Sequence, residues 1–326
     1  MSPVRRFFVP VKGLAGPCRQ RGLTLIELMV ALVIGLLVTA AMLKVYVDAS
    51  RMYRFNEGLA RVQENGRFAI EFIRRDARVA GFWGCNTDAV ISSIIDGGID
   101  YTGTYVEGTD GSSDTITFYG ATGSGLPLNA NMESTDDEVP VKSASGFEVG
   151  DAVLVSDCER GDIFELSGKT GTAPNVKLGH SAGANTSPNL SKLFADDSVV
   201  HAARQTIFSI QDDPDSEVPT LYREVNGNSQ PLVEGIESMQ VLYGEDTDEA
   251  ADGTANRYVR WSDNADELNP NRIVSVRVSL LVRSINSNLT TTPSQITYNG
   301  APYPTTPDRY LRKVFTSTIT LRNKTG

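Results

Sequence analysis

The distribution of apolar and polar positions divides this chain into a lipid-like run, an amphipathic continuation and a long field of β-prone islands. From Leu23 to Leu43 the only ionisable side chain is Glu27. At ~1.5 Å rise per residue such a run extends to ~30 Å, the hydrocarbon thickness of a bilayer. From Lys44 onward the period changes without a break. Phe55, Leu59, Val62, Gly66, Ala69, Ile70, Ile73 and Ala77 recur at three- and four-residue spacing, while arginines and glutamates fill the other faces. That is one stripe of a helix. No proline falls between Pro17 and Pro127, so the pattern predicts a single helix from about Leu23 to about Val79.

After Gly81 the period changes from helical spacing to alternation. Strands are expected at Thr115–Tyr119, Ala152–Ser156, Ile163–Leu166, Ser198–Ala202, Thr206–Ile210, Thr220–Val225 and Ile236–Tyr243. Val274, Val276, Val278, Leu280 and Val282 form a period-two strand, and Phe315 to Leu321 form another. Asp212-Asp213-Pro214 and Asn226-Gly227-Asn228 read as turns, and polar Thr170 to Asn189 reads as a loop. The fold class expected is α+β: a long amino-terminal helix, half membrane-spanning and half packed on an antiparallel sheet. The expected divisions are a leader over 1–22, a membrane and assembly helix over 23–43, its amphipathic continuation over 44–80, and a β-rich lobe over 81–326.

Charge adds direction. Within the first twenty-two residues Arg5, Arg6, Lys12, Arg19 and Arg21 face no acid, so losing them moves the formal charge from −10 to −15. A basic flank before an apolar helix puts the amino terminus in the cytoplasm and the lobe across the membrane. An acidic lobe argues against sequence-independent binding to nucleic acid. Cys18 leaves with the leader, and Cys85 and Cys158 remain. In an exported domain two cysteines point to a disulfide, worth on the order of 4 kcal/mol by loop entropy, with two buried thiols as the alternative.

Gly22-Leu23-Thr24-Leu25-Ile26-Glu27 after a basic leader resembles the class III signal of type IV prepilins. The resemblance implies cleavage after Gly22 by a prepilin peptidase, methylation of Leu23, and a role for Glu27 in docking to a neighbouring subunit's amino terminus. The first mature residue of that family is most often Phe, so Leu23 is a departure. Phe68 to Cys85, Leu221-Tyr222-Arg223, Leu232 to Glu237, Val241 to Gly244 and the final Leu311 to Asn323 are similar to the minor pilin family called PilW. That family implies an inner-membrane protein that joins other minor pilins, the major pilin and a tip adhesin to start pilus assembly. Minor pseudopilins of type II secretion share the signal and are the alternative, with a membrane-tethered periplasmic hydrolase more remote.

Asp246, Asp248 and Asp252 before Gly253 approach a calcium loop, which needs carboxylates at alternating positions before a turn glycine. Two extra residues precede Asp252 and no bidentate glutamate follows, so a solvated acidic hairpin tip is the expectation and Ca²⁺ the alternative; no other cofactor is expected. The two histidines, His180 and His201, lie in no metal-ligand or nucleophile motif. The residues therefore point to assembly rather than catalysis.

Overall fold

The computed structural model describes residues 22–84, 90–97, 99, 101, 105–157, 159–262, 264 and 266–324. Cys18, Cys85 and Cys158 lie outside them. The chain forms two units, one ending at Tyr53 and the other running from Arg54 to the carboxy terminus. Helix α1, Leu25–Ala77, contributes to both. It replaces the expected Leu23–Val79 with the same helix trimmed at each end.

Among the described residues seventeen strands follow: β1 Val90–Ser93, β2 Val106–Thr109, β3 Thr115–Pro127, β4 Val139–Val141, β5 Ala152–Ser156, β6 Arg160–Glu165, β7 Gly168–Thr172, β8 Asn175–Gly179 and β9 Val199–Asp212. Then come β10 Pro219–Val225, β11 Asn228–Glu234, β12 Ile236–Glu245, β13 Arg257–Val259, β14 Ile273–Arg283, β15 Ser294–Tyr298, β16 Ala301–Asp308 and β17 Arg312–Thr320. Eight make one sheet in the order β1-β6-β5-β9-β10-β11, with β3 on the other side of β9 and β2 beyond it. A second sheet runs β13-β12-β14-β17, and smaller ones pair β15 with β16 and β4-β8-β7. The pairing is antiparallel throughout except between β1 and β6.

Two expectations change. The loop expected over Thr170 to Asn189 begins as the β7–β8 hairpin, because Val176 and Leu178 alternate into an apolar core. The two strands expected on either side of Arg204 are one strand, β9, whose break in pattern is a charge with a buried partner. The Asn226-Gly227 turn holds: both residues have positive φ, 46° and 82°, as a two-residue hairpin matching strand twist requires.

In the larger unit Val62, Gly66, Ala69, Ile70, Ile73 and Ala77 of α1 are buried, the stripe the spacing predicts. They join Tyr105, Val106, Ile116, Phe118, Phe208, Val276, Val278, Leu280 and Ile319 in one core between helix and sheets. Full burial of a branched aliphatic side chain contributes ~1.5–3 kcal/mol, so Val62 and Ile73 alone outweigh any surface pairing on the helix. A second core, built from Leu128, Val141, Phe147, Val153, Phe164, Leu178 and Phe194, belongs to the segment between β3 and β9. Gly81, at φ 74°, ends the helix in the left-handed conformation.

Gly66 marks the closest approach of helix and sheet, since a Cβ there would stand 2.4 Å from ring carbons of Phe315. Gly66→Val is expected to lower stability by ~1–3 kcal/mol through overpacking, and Gly66→Val with Phe315→Ala to recover part of that loss. Chemical denaturation monitored by circular dichroism checks both; an unchanged midpoint for the single variant would contradict the contact.

Candidate functional site

The first unit consists of the helix to Tyr53, and its described residues from Gly22 to Ala49 are exposed. Leu25, Ile26, Leu28, Leu32, Ile34, Leu36, Leu37 and Leu43 are each more than half exposed. The helix is long and apolar enough to cross a membrane. An apolar helix left uncovered on every side has its partners outside the chain.

Glu27 has a partner that the sequence reading missed. Thr24 precedes the first helical residue, and its N–H and hydroxyl both donate to Glu27 Oε2, at 3.2 and 3.1 Å. The Glu27 N–H donates in return to Thr24 Oγ1 at 3.2 Å. This is a capping box, with Thr24 as N-cap and Glu27 three residues on. The Thr-x-x-Glu spacing was the available signal. Gly22 and Leu23 precede it outside the helix and exposed, Leu23 at 77% exposure.

Asp76 is a second site outside the sequence expectations. It lies on the buried stripe of α1 in the helix's last turns, 5% exposed. Its Oδ1 accepts from Arg204 Nη2 at 2.8 Å, and its Oδ2 faces Arg223 Nε at 2.9 Å. Those arginines stand on β9 and β10, so the carboxylate ties the helix to two adjacent strands. Burial pushes the Asp76 carboxyl up, and the charges of Arg223 and Arg75 only partly counter it. The pair is thus a constraint on position more than a source of stability. A carboxylate among apolar positions at helical spacing was the legible sign of a buried partner.

The three aspartates do converge: carboxylate oxygens of Asp246, Asp248 and Asp252 lie within 4.8 Å of one another. Asp246 Oδ1 accepts the Asp248 N–H at 3.1 Å, and its Oδ2 accepts those of Asp252 and Gly253, both at 2.9 Å. Asp248 takes Asn256 Nδ2, and Asp252 takes the Thr254 N–H. Arg272 donates to the Asp248 carbonyl, and Arg272 and Lys324 line one cavity with Asp246 and Asp252. Burial opposes ionisation of Asp246, but the Gly253, Asp248 and Asp252 N–H groups and the Arg272 charge outweigh it and hold the carboxyl below the ordinary aspartate range. The donor set suits a self-capped turn with a guanidinium beside it better than a calcium cage.

The histidines are separate. His180 Nε2 is 2.7 Å from the Asp137 carbonyl and its ring packs on Phe164, whereas His201 meets Phe82 edge-on at 5.5 Å. Burial lowers the His201 pKa despite contacts with the Thr122 and Gly123 backbone. Among the described residues no hydroxyl is hydrogen-bonded to either ring.

Asp76→Ala is expected to cost on the order of 2–3 kcal/mol. That is less than the ~3–5 kcal/mol of a fully buried pair, because both arginines keep some exposure; Asp76→Ala with Arg204→Met should regain part of it in urea melts. Asp246→Ala is expected to lower Tm at pH 7. A depressed carboxyl contributes above its unfolded pKa and loses that contribution as pH falls through the folded one, so the difference should vanish in acid. Millimolar Ca²⁺ or a chelator should leave the wild-type Tm unchanged, and a calcium-dependent rise would restore the metal reading.

Comparison with known proteins bears on both ends of the chain. Residues 17–43 match the prokaryotic N-terminal methylation motif, and residues 207–323 match the family model of PilW, the type IV pilus-assembly protein W. No curated protein matches. Among solved structures the chain is similar to the type IV-like pilin TTHA1219 from Thermus thermophilus, at 11% identity and a TM-score of 0.36, over 81% of this chain and 97% of that one. With a methylation motif opening its apolar helix and a similarity to PilW that runs from mid-β9 to its last turn, this chain has the makeup of a minor pilin of the type IV pilus.

Proposed function

We propose that this minor pilin primes pilus assembly from the inner membrane, in a complex with other minor pilins, the major pilin and a tip adhesin. The observation that carries the reading is an apolar helix exposed on all sides and opened by a methylation motif. A prepilin peptidase cuts after Gly22 and Leu23 is methylated. The helix then holds the subunit in the bilayer with its lobe in the periplasm, as the basic leader favours. Lateral packing of helix on helix draws it into the fibre, where Glu27 meets a neighbour's amino terminus. No chemistry on a substrate is needed for any of these steps, and the protein acts by assembly.

A Cys85–Cys158 disulfide would fix the lobe for life outside the cytoplasm. It is supported by the two cysteines left after cleavage and by a bond nearby: Ser156 Oγ donates to the Trp83 carbonyl at 3.0 Å, and each of these residues lies two positions before a cysteine.

Mass spectrometry of the membrane-extracted protein is expected to find N-methylated Leu23 and, without reductant, a linked Cys85–Cys158 peptide pair. A chain starting at Met1, or cut near Ala41, would defeat the prepilin assignment. Glu27→Ala is expected to reduce incorporation into pili about tenfold or more, since a charge-assisted hydrogen bond contributes ~1.5–3 kcal/mol; Thr24→Ala, which loses the cap alone, should reduce it less. A deletion strain with normal pili but failed protein secretion would transfer the chain to the minor pseudopilins.

A further inference from the structure

The second sheet ends on β17, and that edge is built unlike the others. Leu321 donates its N–H to the Val274 carbonyl at 2.9 Å, and Ser284 donates to the Leu311 carbonyl at 2.8 Å. These two bonds frame an antiparallel ladder in which every second residue bonds its opposite number. Continuing the alternation, Phe315, Ser317 and Ile319 turn their backbone groups to β14, while Thr316, Thr318 and Thr320 turn theirs outward. Among the described residues no backbone group pairs with those three.

Edge strands in soluble domains normally carry a charge, a proline, a bulge or very short length against stray pairing. Elsewhere in this protein that rule is followed. The strands β1, β2, β4, β7, β13 and β15 that end sheets have at most five residues. Strand β11 contains Pro231 and faces a register shift at Leu221/Tyr222, and β16 contains three prolines. By contrast β17 pairs with β14 through nine positions without a shift, and its charges, Arg312 and Lys313, stand only at its first two positions, leaving Val314 to Thr320 without charge, proline or glycine.

We propose that the outward edge of β17 receives an extended strand from a neighbouring, non-identical subunit; this rests on the chain being a co-assembling minor pilin. Main-chain bonds to Thr316, Thr318 and Thr320 would supply the affinity, and side chains on either face the selectivity. On the helix side Phe315 packs at Gly66 and Arg74 donates to Ser317 Oγ at 3.0 Å. Arg74 also pairs with Glu71 at 2.9 Å, Lys313 lies over Phe315, and Arg277 bonds Thr318 on the opposite face. In a chain whose net charge is −10, this edge has a basic border, which favours a strand carrying acidic residues.

A second copy suits the edge poorly. It would bring the same basic border against itself, and antiparallel pairing of two β17 edges turns about a two-fold axis perpendicular to the sheet. That axis keeps the helix-side face, with its Arg74, on the same side of the joined sheet in both copies.

The test uses the full chain. Thr318→Pro removes one outward N–H and leaves the β14 ladder intact, as proline on an edge can, whereas Thr318→Val keeps the N–H. The expected result is surface pili reduced roughly tenfold or to the deletion level for Thr318→Pro, and wild-type pili for Thr318→Val. If Thr318→Pro melts early in detergent, Thr318→Glu serves instead: it sets a like charge against the acidic strand and is expected to give the same loss. In hydrogen exchange the amides of Thr316, Thr318 and Thr320 should slow about tenfold or more when the detergent-solubilised chain is compared with its extracted complex. Wild-type piliation with correctly folded Thr318→Pro or Thr318→Glu, unchanged exchange at those amides, or a Thr318→Cys cross-link of twice the chain's own mass would each overturn the proposal. Normal piliation in the deletion strain would instead overturn the minor-pilin reading beneath it.

Discussion

One helix has to satisfy two solvents. Up to Leu43 it offers apolar side chains in every direction, and from Arg54 it offers a single stripe. The first arrangement suits a medium with no preferred side, while the second needs a wall, and the sheets of the larger unit supply it. The buried face of the second half fixes that half's rotational phase against the sheets. The polar groups that hold that phase are few: Asp76 between Arg204 and Arg223, Asn65 donating to the Glu234 carbonyl at 2.9 Å, and Asn323 donating to the Ala80 carbonyl at 2.9 Å. They work as positional pins on an apolar contact, since a buried carboxylate gives back in pairing roughly what it loses in dehydration.

Much of this was legible because the strongest signals are periodic and long. The helix, the β14 alternation and the Asn226-Gly227 turn each have one low-energy reading, and each takes it. The β7–β8 hairpin was not legible: Gly, Lys, Thr and Asn give it a loop-like composition, and only Val176 and Leu178 reveal that a second core lies beneath. Arg204 hid the continuity of β9 for a related reason, as its partner is 128 positions away on α1. The acidic loop was recognisable as a cluster, but whether its oxygens face a cation or their own backbone depends on turn geometry that composition does not carry.

The match to PilW runs over the β9–β17 region that includes the second sheet, and the second core, over roughly 128–200, lies outside it. This division has a physical counterpart. The matched region contains many of the strands that bury the helix stripe and so is tied to it by packing, whereas the segment between β3 and β9 has an interior of its own. A segment with its own core can vary in sequence without disturbing the seat of the helix, which explains why the middle of the chain is the least recognisable by resemblance.

The reciprocal bonds between Thr24 and Glu27 bear on how a subunit could wait before it is used. A bare carboxylate at the membrane boundary would be costly, and a chain carrying one would be driven to the first cation available. Here the first turn of the helix already answers the charge. The proposed docking to a neighbour's amino terminus would then be an exchange of partners instead of the rescue of an unsatisfied group, and its free energy would be a difference between two satisfied states. Such an exchange can run in either direction, as a fibre that both grows and retracts would need.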